Sequence, residues 1–234
     1  TTYITYRNTK MINIPDTIMT TDGYTPHKFI NDFVKDWEDL RDEWPPESLF
    51  KKEGHETPRK HGQRQHIRLF FCYTPWEDSK LFDQYMIERN QLPEIWDDFA
   101  QKLLYSKEYA DWVKETLQIP GNNFKYRLDW HIGKDGRDVS PHVDTPGKLG
   151  SHLIYFMPDG WDDSCGGQTV FYKGKLVEQM NPEPKDFAHK QQYRNTGNSS
   201  LLFKNTENGW HGVTEVTSKL NRQILNLVIM KKEN

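Results

Sequence analysis

In the stretch "SPHVDTPGKLGSHLIYF", residues 140 to 156, His142 and Asp144 stand one residue apart just before an apolar run. On an extended chain, residues i and i+2 face the same way, so an imidazole and a carboxylate at this spacing can bind one ion together. A third ligand must then come from elsewhere in the chain. The second half offers His131, His152, His189 and His211. His211, in "NSSLLFKNTENGWHGVTEV", stands out because it follows a turn and opens a strand-like run. Two histidines and one carboxylate on one face leave further coordination positions open, which is the donor set of non-haem Fe(II) centres. A structural metal site would instead close its coordination.

Open positions call for an organic co-substrate and O2. A keto-acid such as 2-oxoglutarate chelates iron through its keto oxygen and C1 carboxylate, and its far carboxylate needs a cation. Arg222 opens the last apolar run and can grip a carboxylate bidentately while staying charged when buried. Asn226, four residues on, shares its face and can complete the contact.

These residues must be carried by a scaffold. The chain has 234 residues, suiting one large domain. Hydrophobic residues make up 35% and aromatics 13%, enough for a folded core rich in rings. The formal net charge of -3 gives no electrostatic reason to bind nucleic acid. The two cysteines, Cys72 and Cys165, make no disulfide framework and fit a reducing, cytoplasmic setting. No apolar run approaches the length of a membrane span, so neither a membrane nor nucleic acid is expected as a partner.

After Phe124, short apolar or alternating runs at 124–132, 151–157, 168–172, 200–204, 211–216 and 222–230 are divided by Gly, Pro, Asn and Asp clusters, the pattern of a β-sandwich or barrel. Before it, helical periodicity predicts helices from Thr25 to about Trp44, over about 76–90, from Pro93 to about Leu104 and after Ser106. The basic stretch 55–71, with His55, His61 and His66, reads as a solvated loop entering a strand, and 175–195 as a polar loop interrupting the barrel, a candidate lid. On one strand Arg127, Asp129 and His131 alternate with Tyr126, Leu128 and Trp130; if the polar face looks into the barrel, Arg127 and His131 become candidate substrate contacts.

The segments "HVDTPGKLG", "HLIYFMPDGWDDSCGGQTVFYKGK", "LLFKNTENGWHGVTEV" and "NRQILNLVIM", spread over about 124–230, resemble the Fe(II)/2-oxoglutarate-dependent dioxygenases of the prolyl-hydroxylase type. The resemblance implies a mainly β fold with α: a double-stranded β-helix, jelly-roll core over 121–234, supported by a mostly helical region over 1–120, in a single domain. It implies that His142, Asp144 and His211 bind Fe(II), that Arg222 holds the far carboxylate of 2-oxoglutarate, and that O2 is consumed as a C–H bond is hydroxylated and 2-oxoglutarate becomes succinate and CO2. A tyrosine commonly precedes the HxD strand in that family; Trp130 is the nearest counterpart here, with Tyr126 as the alternative. Phe156 stands where relatives can have a second tyrosine, so His152, Asn226 or water must supply the missing polar group. Halogenating relatives have a small residue at the position of Asp144, so hydroxylation is the expected outcome. Expected substrates are a prolyl residue in a peptide or protein, or a free amino acid or other small metabolite. Desaturation and cyclisation stay open as reaction outcomes, as does a non-catalytic metal-binding barrel.

Overall fold

The structure, a computed structural model, describes residues 11–54, 67–76 and 80–232. Its strands are β1 (His27–Ile30), β2 (Lys51–Glu53), β3 (Arg68–Tyr73), β4 (Phe124–Gly133), β5 (Val139–His142), β6 (Lys148–Tyr155), β7 (Thr169–Lys175), β8 (Phe187–Tyr193), β9 (Ser200–Lys204), β10 (His211–Val213) and β11 (Arg222–Lys231). The α-helices are α1 (Trp37–Asp42), α2 (Glu94–Leu104) and α3 (Lys107–Thr116). A seven-stranded sheet runs β1-β9-β6-β11-β4-β3-β2, and a four-stranded sheet runs β5-β10-β7-β8; every strand pair is antiparallel. This is the mainly β architecture expected of a jelly roll.

The large sheet has two apolar faces because something covers each. On β11, Leu225, Leu227 and Ile229 pack toward the helices, while Arg222, Ile224 and Asn226 point the other way. On β4, Tyr126, Leu128 and Trp130 take the helical side, and on β6 Ile154 takes it too, continued by Phe156 just past the strand. The covering stripe is Trp96, Phe99 and Leu103 of α2 with Tyr109, Trp112 and Val113 of α3, all buried. Trp96 meets Phe156 and Trp130 edge-on at 4.9 and 5.8 Å between ring centres, a favoured aromatic geometry. Ser106 caps α3 by accepting from the Tyr109 N–H at 3.0 Å, as its position ahead of the apolar stripe predicts. The opposite face of the large sheet looks at the small sheet, and the site lies between them.

The first half is less helical than its periodicity predicts. The helix expected from Thr25 is edge strand β1 followed by the six-residue α1. Asp32 and Asp36 sit at φ 52° and 51°, conformations that stop an α-helix, and β1 gains a full ladder by pairing with β9. The helix expected over 76–90 is, where described, two 3-10 turns, Lys80–Tyr85 and Arg89–Gln91. β1, β2 and β3 belong to the large sheet, so among the described residues before 121 strands accompany the helices. The expected loop 175–195 is also corrected: β8 occupies 187–193 and pairs with β7, from Thr169↔Tyr193 to Lys175↔Phe187. Its alternation of exposed residues on a lightly buried outer strand reads as polarity rather than as a period. His55, His61 and His66 lie outside the described residues. No described helix is long and apolar enough to cross a membrane.

Candidate metal and co-substrate site

β5 ends on His142 and β10 begins on His211, and the two are direct cross-strand partners in the small sheet. Their rings therefore leave the sheet side by side, with centres 4.3 Å apart. Each ring is fixed by the same device. His142 Nδ1 donates to the Ser140 carbonyl at 3.0 Å and His211 Nδ1 to the Gly209 carbonyl at 2.8 Å, which leaves each Nε2 as the atom that can take a metal. Asp144 lies just past β5, its Oδ1 3.8 Å from His142 Nε2 and its Oδ2 3.6 Å from His211 Nε2. The three ligand atoms lie within 4.8 Å of one another. Asn205 Nδ2 ties the loop down through the carbonyls of Thr145 at 2.9 Å and Lys148 at 2.8 Å. Burial works to raise the Asp144 carboxyl, but Lys148 at 2.8 Å and the two histidines overcome it and hold the group ionised, well below the usual carboxylate range. Two imidazoles and a carboxylate are thus presented together on one side, the arrangement that a facially bound Fe(II) requires.

A cavity of about 150 Å³ opens in front of this set. Arg222, at the start of β11, lies on its lining and is buried. Its Nη2 donates to Thr169 Oγ1 at 3.4 Å, its guanidinium carbon is 5.7 Å from the Tyr155 ring centre, and the Tyr155 and Thr169 hydroxyls are 2.8 Å apart. Burial pushes Arg222 down to about 10, still above neutrality, so the guanidinium remains a cation. Among the described residues its Nε has no hydrogen-bond partner, and neither do Asn226 Oδ1 and Ser151 Oγ on the same lining. Buried polar atoms of this kind cost stability unless something binds them. An anchored guanidinium with a free N–H, two adjacent hydroxyls and a nearby metal set fit a keto-dicarboxylate chelated to Fe(II).

The double glycine before β7 is part of this arrangement. Gly167 has φ 69°, and a Cβ there would come within 2.7 Å of Arg222 Cδ, so only glycine lets the arginine lie flat against the turn.

The other expected contacts divide by face. Asn226 lines the cavity with Arg222. Trp130 and Tyr126 do not: both are in the core on the helical side, Trp130 stacked on Phe71 at 5.0 Å and Tyr126 edge-on to Phe124 at 5.4 Å. Phe156 faces the same way, against Trp96, and Tyr155, one residue earlier and on the cavity face, supplies the hydroxyl whose loss was expected. Alternation from Ile224, the partner of Tyr155 and on Arg222's face of β11, carries the signal that finds it. Thr169 was within reach as well, as the third residue after Gly166 in "GGQT". His131 is on the cavity lining, stacked on Phe70 at 5.3 Å, and burial followed by the nearby Arg68, Arg222 and Arg127 keeps it neutral, well below its usual range. Arg127 is on the polar face but is engaged by Asp129, with Nε to Oδ1 at 2.7 Å and Nη2 to Oδ2 at 3.0 Å, under the Phe82 ring. It is not part of the cavity. Arg68, Arg137 and Lys148 are, and no spacing in the sequence marks them.

His152 is a core residue and not a co-substrate contact. Its Nδ1 pairs with the Tyr109 hydroxyl at 2.9 Å and its Nε2 with Ser200 Oγ at 3.0 Å, which joins α3 to the large sheet. Burial alone pushes His152 down to about 3. Below about pH 6.5 the unfolded chain takes up a proton that the folded chain refuses, so stability present at neutral pH is lost as pH falls from there toward 3, by about 1.4 kcal/mol per pH unit for this one group. Urea unfolding should therefore show His152→Gln less stable than the parent at pH 7.5, with the gap narrowing by roughly 1–2 kcal/mol at pH 5. A gap that stays constant with pH would remove His152 from the acid sensitivity of the fold.

The sandwich and its two-histidine, one-carboxylate set define a jelly-roll metalloenzyme with open coordination positions. Residues 126–230 match the model of the 2OG-Fe(II) oxygenase superfamily, and that match, with the His-Asp-His group, indicates an oxidoreductase that uses Fe(II), 2-oxoglutarate and O2. Among solved structures, the chain is similar to a Pseudomonas putida prolyl-4-hydroxylase, with TM-score 0.57 and 11% identity over 89% of this chain and 94% of the other. It is also similar to a 2OG-Fe(II) oxygenase-family oxidoreductase from Burkholderia pseudomallei, with TM-score 0.53, 14% identity and coverage of 87% and 84%. A third is a non-haem α-ketoglutarate-dependent epimerase of nogalamycin biosynthesis, with TM-score 0.54, 11% identity and coverage of 89% and 77%. At these identities the likeness is one of fold. No curated protein sequence matches the chain.

Proposed function

We propose that this oxygenase hydroxylates an unactivated C–H bond of a prolyl residue in a peptide or protein. In this reading His142, Asp144 and His211 hold Fe(II), and Arg222, with the Tyr155 and Thr169 hydroxyls, holds the far carboxylate of 2-oxoglutarate. When bound, these groups supply the oxidation: 2-oxoglutarate and O2 give succinate and CO2, and one oxygen atom goes to the substrate carbon. The chain's own part is to fix the ligand atoms on one side and to set the co-substrate's depth by the position of Arg222. It also keeps water from the reacting face with Ile224, Leu153, Val216 and Phe203.

The observation that carries the substrate class is the shape of the approach. The cavity shares Ile67, Leu69, Ile132 and Arg137 with an outer groove of about 480 Å³ that also reaches Lys52, Lys134, Lys219 and Asn221. An extended chain can lie in such a groove with one side chain at the metal, whereas a free metabolite calls for a closed pocket with a second buried cation of its own. Arg127, the buried candidate for that cation, already holds Asp129.

The test is succinate release from Fe(II)-loaded protein and 2-oxoglutarate, screened against proline-containing peptides and against free amino acids. Peptides should stimulate release, with the mass of one oxygen atom gained on a prolyl residue. Stimulation by a free amino acid and by no peptide would replace this reading with the small-metabolite one. Absence of uncoupled turnover, together with absence of the visible charge-transfer band of a keto-acid chelated to ferrous iron, would leave a metal-binding barrel without catalysis.

A further inference from the structure

Lys148 stands beside the metal set, where a cation runs against simple metal binding. Its Nζ lies 2.8 Å from Asp144 Oδ2, and both side chains are largely buried, at 15% and 13% exposed. A cation placed next to a carboxylate ligand competes with a divalent ion for that ligand and repels it. Yet the loop is built to put the lysine there. The Lys148 N–H donates to the Thr145 carbonyl at 3.0 Å, closing a turn that folds the side chain back over Asp144. Asn205 then clamps the Thr145 and Lys148 carbonyls from β9's far end. The ammonium lies between the central cavity and a second groove of about 450 Å³, lined by Leu117, Ile119 and Pro146 among others, so solvent was within its reach. A lysine of this length, with an open groove beside it, is held on the ligand only if the surrounding chain directs it.

We propose that Lys148 is a positioning residue that makes Asp144 a one-oxygen ligand. This inference rests on the metal assignment above. An octahedral ion has room for three protein atoms, two atoms of a chelating keto-acid and one of dioxygen. If both oxygens of Asp144 bound the metal, the last position would be taken. The ammonium engages Oδ2 and leaves Oδ1, on the His142 side, as the ligating atom. It exchanges some metal affinity for an open position. It also brings one positive charge to a cavity that must accept a dianionic co-substrate.

The inference can be read without turnover, from Mn(II) bound in place of Fe(II). Electron paramagnetic resonance gives its dissociation constant, and water-proton relaxation gives the number of metal-bound waters. Lys148→Met should bind Mn(II) more tightly than the parent, by roughly tenfold because a like charge is gone, and should hold one water fewer because Asp144 closes onto the metal with both oxygens. Lys148→Arg should restore both values. Lys148→Gln keeps a donor without the charge, so it should bind tightly yet keep the parent's water count; it also serves if the methionine variant does not fold. Parent-like affinity and water count in Lys148→Met, or in Lys148→Gln parent-like affinity or one water fewer, would overturn the inference. Failure of the parent itself to bind Mn(II) would overturn the metal assignment, and the role of Lys148 with it. Asp144→Ala, which should not bind, marks that case.

Discussion

Asp144→Ala is expected to abolish turnover while leaving the fold standing. The carboxylate is the sole anionic group among the three candidate ligands, beside two imidazoles. Removing it takes away both a ligand and the charge that offsets a divalent ion, and a loss of about 4 kcal/mol of metal-dependent stabilisation corresponds to roughly a thousandfold in rate. The structural cost is small by comparison. Burial already works against the ionised Asp144, and only the surrounding cations reverse that, so removing the group also removes a desolvation penalty. The freed Lys148 ammonium can turn into the adjoining groove along its flexible stem. We expect a change in unfolding free energy of no more than about 2 kcal/mol, by urea titration of the metal-free proteins. The loss of turnover should be accompanied by loss of the charge-transfer band on anaerobic addition of Fe(II) and 2-oxoglutarate. A variant with parental turnover would remove Asp144 from the ligand set; one that loses activity only because it unfolds would make Asp144 structural.

The metal set was legible because its chemistry is local at each end. HxD needs two residues on one side of an extended segment, and a histidine at a strand start needs only its own turn. The long strands were legible for a similar reason: β11 is apolar on both faces, and only a strand covered on both sides tolerates that. What the sequence hid was always a matter of which face a residue takes. Trp130 and Tyr126 are the right kind of residue near the right place, but on β4 they share the face that meets α2 and α3. Phe156 and Tyr155 are adjacent, and a one-residue choice between them decides whether a hydroxyl lies beside Arg222 on the cavity side. Partner register resolves it, and register is set by long-range pairing that no local window carries. The N-terminal error has the same origin. "KFINDFVKDW" places apolar residues at spacings that serve a helix, yet Ile30 and Phe33 are buried in the helical-side core while Phe29 packs on the other face with Tyr193, because β1 is an edge strand joined to β9. Lys148 lies within the family-like segment "HVDTPGKLG", but nothing in its spacing says that a turn folds it onto Asp144.

Arg222→Ala should raise the concentration of 2-oxoglutarate needed for half-maximal turnover by roughly a hundredfold, the loss expected for a bidentate charge-assisted contact of about 3 kcal/mol in a buried site. The rate at saturating 2-oxoglutarate should fall far less, because the guanidinium lies at the far end of the co-substrate and not at the reacting atoms. Arg222→Lys should recover only part of the loss: a lysine keeps the charge but cannot present the two parallel N–H groups that a carboxylate takes side by side. The supporting groups make a further distinction. Tyr155→Phe removes a neutral hydroxyl and should cost about tenfold at most. Gly167→Ala touches no co-substrate atom in this reading, yet its new methyl group would press on Arg222 Cδ from 2.7 Å and displace the guanidinium, so it should resemble Arg222→Ala in its 2-oxoglutarate requirement. That last comparison is the most discriminating. A merely destabilised turn would lower the melting temperature and leave the requirement alone, whereas a displaced arginine raises the requirement in protein that is still folded. An unchanged requirement in Arg222→Ala would move the carboxylate to Arg68 or Arg137, the other arginines on the cavity lining, and would reverse the direction in which 2-oxoglutarate lies across the metal.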